Sequence, residues 1–308
     1  MSTLAPIFLV GCPRSGTTLL QQMLDAHPEV AIAPETHFIR NFWLKREQYG
    51  NLENDRAYQA LLHAIVALPE FTEMELSAAD FVAIAQTLER SYKNLLGLLL
   101  DQFRQKRAVT MVGEKTPNHL LYMQILQEFF PEARFIHIIR DPRAVVNSWK
   151  KVPWTTGSVV GDAGVWRRYM ATARQCPPAH GAIYSLHYEA LVSDPEASLK
   201  AVCQFLGLPF QMAMLDYYRQ DPRGVNVSRE PWKGNAVKPV SSDSLTRWQQ
   251  EMTAEEIATV EWVAKAEMTG LSYEPYASNW QVLRVATQLK TRRTLDRARQ
   301  YVEKQIKR

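Results

Sequence analysis

Two stretches of this 308-residue chain suit the binding of an anion, and a third suits proton transfer beside it. The first is Gly11-Cys12-Pro13-Arg14-Ser15-Gly16-Thr17-Thr18, with four residues between the glycines. A glycine-containing turn between a strand and a helix N-terminus aims several backbone N–H groups at one point, which suits a phosphate-like group. The triphosphate form of such a loop carries Lys after the second glycine. Here that position is Thr17, and the cation is Arg14, inside the loop. The expected cradle is Pro13, Arg14, Ser15, Gly16, Thr17 and Thr18. The second stretch is Arg140, at the end of the apolar run Phe135–Ile139, with Ser148 eight residues on. A guanidinium fork and a hydroxyl clamp phosphate oxygens well. Pro142 fits the first position of a helix and Asp141 its N-cap. By pattern alone, Arg-Asp-Pro reads equally as an ion pair at a helix start. The third is Glu35, after Ala31-Ile32-Ala33-Pro34. Partial burial there is expected to raise its pKa and make it a better general base. A first-turn carboxylate is the plainer alternative, and His37 and His119 are rival bases.

These residues need elements to hold them. Apolar runs predict strands at 6–11, 109–113, 133–139 and 182–187, alternating with helices, which implies an α/β fold with a parallel sheet flanked by helices. Helices are expected at 16–26, 117–129, 141–151, 161–175, 194–206, 244–250 and 253–268. Residues 36–107 read as a mostly helical insertion that shapes an acceptor cleft. Residues 220–243, with Pro222, Gly224, Pro231, Gly234 and Pro239, form a loop too long for a mere connection. In such sheets ligands bind at the carboxyl ends of the strands, where the first loop and the residues after 113 and 139 would meet. One domain is expected over 1–280, followed by a basic helix over 281–308.

Length and composition are those of a globular chain with a full core. The formal net charge of +4 does not argue for nucleic acid. From Arg284 onward nine Lys/Arg face only Asp296 and Glu303, so the rest is slightly acidic. That basic segment reads as a solvated helix on its own domain or as a contact for an anionic surface. Cys12, Cys176 and Cys203 have neither metal nor disulfide-framework spacing. No secretory signal and no membrane-spanning run is legible, and a cytoplasmic location is expected. The oligomeric state is left open, a homodimer included.

The run Pro-Arg-Ser-Gly-Thr-Thr-Leu at 13–19, Met23–Val30 and Glu35-Thr36 resemble the N-terminal region of sulfotransferases. These enzymes use 3′-phosphoadenosine 5′-phosphosulfate (PAPS) and release 3′,5′-phosphoadenosine (PAP). Within them the chain most resembles tyrosylprotein sulfotransferases and their bacterial relatives. The resemblance implies that the first loop holds the 5′-phosphosulfate, a P-loop-type site, and that Arg140 and Ser148 hold the 3′-phosphate. It places the catalytic base on Glu35, and on Lys115 a cation for the bridging and sulfuryl oxygens, shared with Arg14. Tyr188, Ser228 and Lys238 match residues near the nucleotide, and Tyr273–Ala277 matches a C-terminal signature. A family basic residue falls on Val152, beside Lys150 and Lys151.

The implied chemistry is in-line transfer of a sulfuryl group to an acceptor hydroxyl, governed by positioning and electrostatics and needing no metal. The expected acceptor is a phenol or tyrosine, or an alcohol of a carbohydrate or small molecule. The positions that bind acidic peptides in tyrosylprotein enzymes hold His37 and Asn41 here. Trp149, Trp154, Trp166 and Tyr169 read equally as an aromatic lid and as core. The rival functions are a small-molecule kinase with a phosphate loop and a non-catalytic nucleotide-binding protein.

Overall fold

The computed structural model describes residues 4–178, 182–222, 225 and 227–291. The chain divides into two compact units, one of residues 1–140 and 172–242, the other of 141–171 and 243–308. No change of composition marks these boundaries along the chain.

The first unit is built on a five-stranded sheet in the order β2-β3-β1-β4-β5. The strands are β1 (Ile7–Gly11), β2 (Val30–Ala33), β3 (Met111–Lys115), β4 (Arg134–Ile139) and β5 (Ile183–His187). All four pairings are parallel. The strands are short and apolar because both faces of the central ones are covered, and β1 is buried along its whole length. Phe8 on β1 stacks on Phe135 of β4 with ring centroids 5.6 Å apart. Four of the strands lie where the apolar runs predict them. β2 is an addition: its four residues read along the chain only as a near-apolar stretch, and pairing with β3 makes them a strand.

Helix α1 (Thr17–Asp25) follows β1 through the first loop. The segment 36–107 is helical as expected, its main helices being Asp55–Val66, Ala78–Ala85 and Tyr92–Lys106. Each of these three starts on a side-chain cap, from Asn54, Ser77 and Ser91 respectively. Among the described residues of the long loop is a short 3-10 helix, Pro231–Val237, with proline at its start.

The second unit packs Pro142–Trp149 and Val159–Gln175 with Asp243–Glu251 and Ala254–Gly270. Its core includes Val146, Ala163, Trp248, Ile257 and Val260. Asp141 does cap the first of these helices, accepting from Arg143 N at 2.8 Å. Arg143 carries the ion pair that the Arg-Asp-Pro pattern left open: it binds Asp141 and, at 2.6 Å, Glu261. Glu261 in turn accepts from the backbone N–H groups of Tyr276 and Ala277, which ties down the C-terminal signature. Trp149, Trp166 and Tyr169 are buried and Trp154 is half exposed, so three of the four lid candidates are core. Residues 279–291 are helical, and the remainder of the expected basic helix lies outside the described residues. Among the described residues no helix is long and apolar enough to cross a membrane.

Candidate active site

The site is built at the carboxyl ends of β1, β3 and β4, in the first unit. Two backbone features shape its floor. Gly16 ends the first loop with φ +102°, and a Cβ there would fall 2.3 Å from the Tyr188 ring, so only glycine fits. Arg14, two residues earlier, is also in the left-handed region with φ 74°. That conformation costs a non-glycine residue about 1–2 kcal/mol. It is held by contacts on both sides of the residue. The Arg14 carbonyl accepts from Arg140 Nη1 at 3.1 Å, and its guanidinium donates to the Trp232 carbonyl at 2.6 Å. Arg140 lies over the Tyr188 ring, 4.2 Å from its centroid.

The loop is suited to an anion. Helix α1 begins on Gly16 with no side-chain cap, so its first N–H groups are not taken by the usual Ser or Asp oxygen. Ser15 Oγ is buried and meets no hydrogen-bond partner among the described residues. A phosphate-like group offers the acceptors these donors lack. Burial and the nearby Arg140 pull the Arg14 guanidinium down to about 10, which leaves it a cation at neutral pH.

Glu35 lies two residues past β2, beside Lys115 at the end of β3. Lys115 is fully buried, and its ammonium donates to Glu35 Oε1. Lys233, from the Pro231–Val237 turn, reaches the same oxygen at 3.0 Å and Glu230 Oε2 at 2.6 Å. His37 Nε2 is 3.6 Å from the other oxygen, Oε2. Burial alone would raise the Glu35 pKa, as the sequence suggests. The two ammonium groups, with His37, outweigh burial and hold the carboxyl well below the usual carboxylate range. The expected raised pKa is therefore corrected: Glu35 stands ionised, and its basicity waits on what happens to its lysines. Burial lowers the Lys115 pKa, with Glu35 opposing it. Lys233 is raised: burial pulls it down, and Glu35 and Glu230 more than compensate. Arg14, Arg140, Lys115 and Lys233 against Glu35 and Glu230 leave the cluster two positive charges in excess when both lysines are protonated.

One layer below, Glu114 is fully buried on the opposite side of β3 from Lys115. It accepts from Thr36 N at 3.0 Å, Thr36 Oγ1 at 2.8 Å and Thr116 Oγ1. His119 Nδ1 lies 2.9 Å from its other oxygen. This network fixes the turn that carries Glu35, since Thr36 is the next residue. It also gives His119 a structural partner, whereas His37 stays beside Glu35.

The structure thus brings Arg14, Ser15, Gly16, Glu35, Lys115, Arg140 and Tyr188 into one region. Thr17 is buried and Pro13 and Thr18 partly so, all in the same loop and helix start. Ser228 and Lys238 are exposed, and the Lys238 carbonyl accepts from the Tyr217 hydroxyl. Ser148 lies on Pro142–Trp149 and belongs to the second unit. Nothing local in the sequence marks Lys233, Glu230 and Trp232 as site residues. The pointer available was Pro231, whose place at a helix start marks a fixed turn within an otherwise irregular loop.

The comparisons with known proteins agree on one family. The model of the family described as "Sulfotransferase family" matches residues 6–212, more than half of the chain. Protein-tyrosine sulfotransferase A of Caenorhabditis elegans is 29% identical over 285 residues, covering 88% of this chain and 68% of that protein. Protein-tyrosine sulfotransferase 1 of Danio rerio is 27% identical over 281 residues, covering 88% of this chain and 73% of that one. Among solved structures, the sulfotransferase domain of the Synechococcus PCC 7002 olefin synthase superposes with a TM-score of 0.64 at 21% identity. That match covers 89% of this chain and 98% of the domain, and it shows the shared fold.

Proposed function

The chain belongs to the sulfotransferase family, and from that premise we propose that it moves the sulfuryl group of PAPS to an acceptor hydroxyl, with Glu35 as general base. The observation that carries this reading is the meeting of Arg14 and Arg140 at the loop before the uncapped start of α1, with a partly buried, ionised carboxylate held by Lys115 beside them. Arg14, Ser15 Oγ and the N–H groups of the α1 start would hold the 5′-phosphosulfate. Arg140, beside the loop and stacked on Tyr188, would take the 3′-phosphate. In the transfer, the acceptor O–H proton passes to Glu35. The acceptor oxygen bonds to sulfur as the bond from sulfur to the bridging phosphate oxygen breaks, and that oxygen leaves with the electron pair. Lys115 and Arg14 stabilise the charge gathering there. A kinase reading is disfavoured by Thr17, which stands where triphosphate loops carry lysine.

The acceptor we propose is a phenolic hydroxyl, in keeping with the tyrosine in the names of the relatives. His37 and Asn41 replace cations at positions two and six after Glu35, which argues for a neutral rather than a strongly acidic peptide around it.

Calorimetric titration with PAP, beside ATP and AMP, tests the donor. Tight binding that needs the 3′-phosphate is expected, and preference for ATP overturns the assignment. Arg140→Ala should weaken PAP while leaving AMP little changed; equal loss for both removes the 3′-phosphate from Arg140. Tyrosine peptides of graded acidity, set beside simple phenols, test the acceptor.

A further inference from the structure

Glu35 has two ammonium partners, and both bind one oxygen. Lys115 and Lys233 each donate to Oε1, Lys233 at 3.0 Å. On Oε2 the ion-pair neighbour among the described residues is His37, at 3.6 Å. Lys233 is only 8% exposed, although it comes from an irregular loop. Its turn is tied down nearby: the Trp232 carbonyl accepts from Arg14, and Lys233 donates to Glu230 Oε2 at 2.6 Å.

We propose that Lys233 is a positioning residue: it keeps Oε1 of Glu35 engaged while Lys115 turns to the transferred group, so that Oε2 stays presented to the acceptor hydroxyl. This rests on the sulfuryl-transfer reading above. With Lys115 as its only ammonium partner, Glu35 would lose that hold at the moment it must accept a proton. A second lysine on the same oxygen removes the conflict. An ammonium carries three donors, so Lys233 can hold Glu35 and Glu230 together. Glu230 supplies the countercharge that keeps Lys233 protonated in a buried place and tempers its pull on Glu35. In the transfer step the acceptor proton goes to Oε2, and Lys233 neither gains nor loses one. The charged and titratable groups facing Glu35 are Lys115 from β3, Lys233 and Glu230 from the turn, Arg14 from the first loop and His37 from its own turn.

The test compares Lys233→Met and Lys233→Arg with the wild type in two ways. One is a 13C NMR titration of the Glu35 carboxyl, assigned with Glu35→Gln. The other is steady-state kinetics with PAP affinity measured alongside. Lys233→Met should move the Glu35 midpoint upward and lower kcat about 100-fold, the usual cost of a misplaced group. PAP affinity should hold, and Lys233→Arg should recover most of kcat. A Glu35 midpoint that does not move, or an unchanged kcat, overturns the proposal. So does a loss of kcat and PAP affinity together that Arg does not rescue, which would make Lys233 a prop for the turn. If the wild type fails to bind PAP, the donor reading falls, and the titration still decides whether Lys233 governs Glu35.

Discussion

Glu35 and Glu114 are neighbouring carboxylates drawn from the same pair of strands, and their partners are of opposite kinds. Glu114 is held by a backbone N–H, two threonine hydroxyls and an imidazole, all fixed in the core. Burial alone would raise its pKa, but these donors keep it below the usual range. Glu35 is held there by two lysine ammonium groups and a histidine. Hydroxyls and a backbone N–H in the buried turns after β2 and β3 have nowhere else to go. The Lys115 ammonium, on a long side chain, does, once an anion arrives beside it. The first arrangement suits a strut. The second suits the proposed base, parked ionised and left with Lys233 alone on Oε1 when the donor draws Lys115 away.

The sharpest way to break this contrast is Glu35→Gln. Loss of a positioned general base costs about 10²–10⁴ in rate. We expect a kcat loss in that range in a protein that still folds, judged by circular dichroism and by PAP binding. Retention of more than a tenth of kcat would move the base to His37. Glu114→Ala should do the reverse. Removing one partner from a buried, paired cluster costs about 3–5 kcal/mol of stability, read from the urea midpoint. The folded fraction should still bind PAP. If folded Glu114→Ala loses as much kcat as Glu35→Gln, the two carboxylates do not have separate duties. Lys115→Met comes next, at about 10²–10³ in kcat, the usual cost of one preorganised donor. An unchanged kcat there would remove Lys115 from the chemistry.

How far the sequence shows this contrast depends on what holds each residue. The first loop, β1 and β4 were legible because glycine spacing and continuous apolar runs are local signals. Glu35 reads as a candidate base from its near-apolar neighbours, and the family resemblance assigns it that role. Lys115 stands out through the resemblance, and the structure sets the two in contact. β2 escaped notice because four residues before a proline become a strand only by pairing with β3. Glu114 carries no local signal beside Lys115 beyond the strand alternation that puts the two on opposite faces. Lys233 is not legible for a related reason. Its loop has no periodicity, and what fixes it is contact with Arg14 and Glu35, both distant in sequence. The direction of the Glu35 shift failed likewise: burial is readable from apolar neighbours, while two converging lysines are a property of the fold. Arg143 shows the same limit in the second unit, since its partner Glu261 could not be read from Arg-Asp-Pro.

The smallest effect separates the carboxylates by pH. Both have lowered pKa values in the folded state. A carboxyl depressed on folding stabilises the protein above its unfolded value of about 4.3, and that contribution fades as pH falls through the folded value. In this window each such group contributes up to about 1.4 kcal/mol per pH unit to the slope of stability. Urea midpoints measured from pH 6 down to pH 3 should fall steeply for the wild type and less steeply for Glu35→Gln and for Glu114→Gln. Saturating PAP sharpens the comparison. If the donor site draws Lys115 away from Glu35, the Glu35 share of the acid slope shrinks when PAP is bound, while the Glu114 share stays, because its donors have no anion to turn to. Equal shares with and without PAP would mean that Glu35 is held as rigidly as Glu114, and that Lys115 does not leave it.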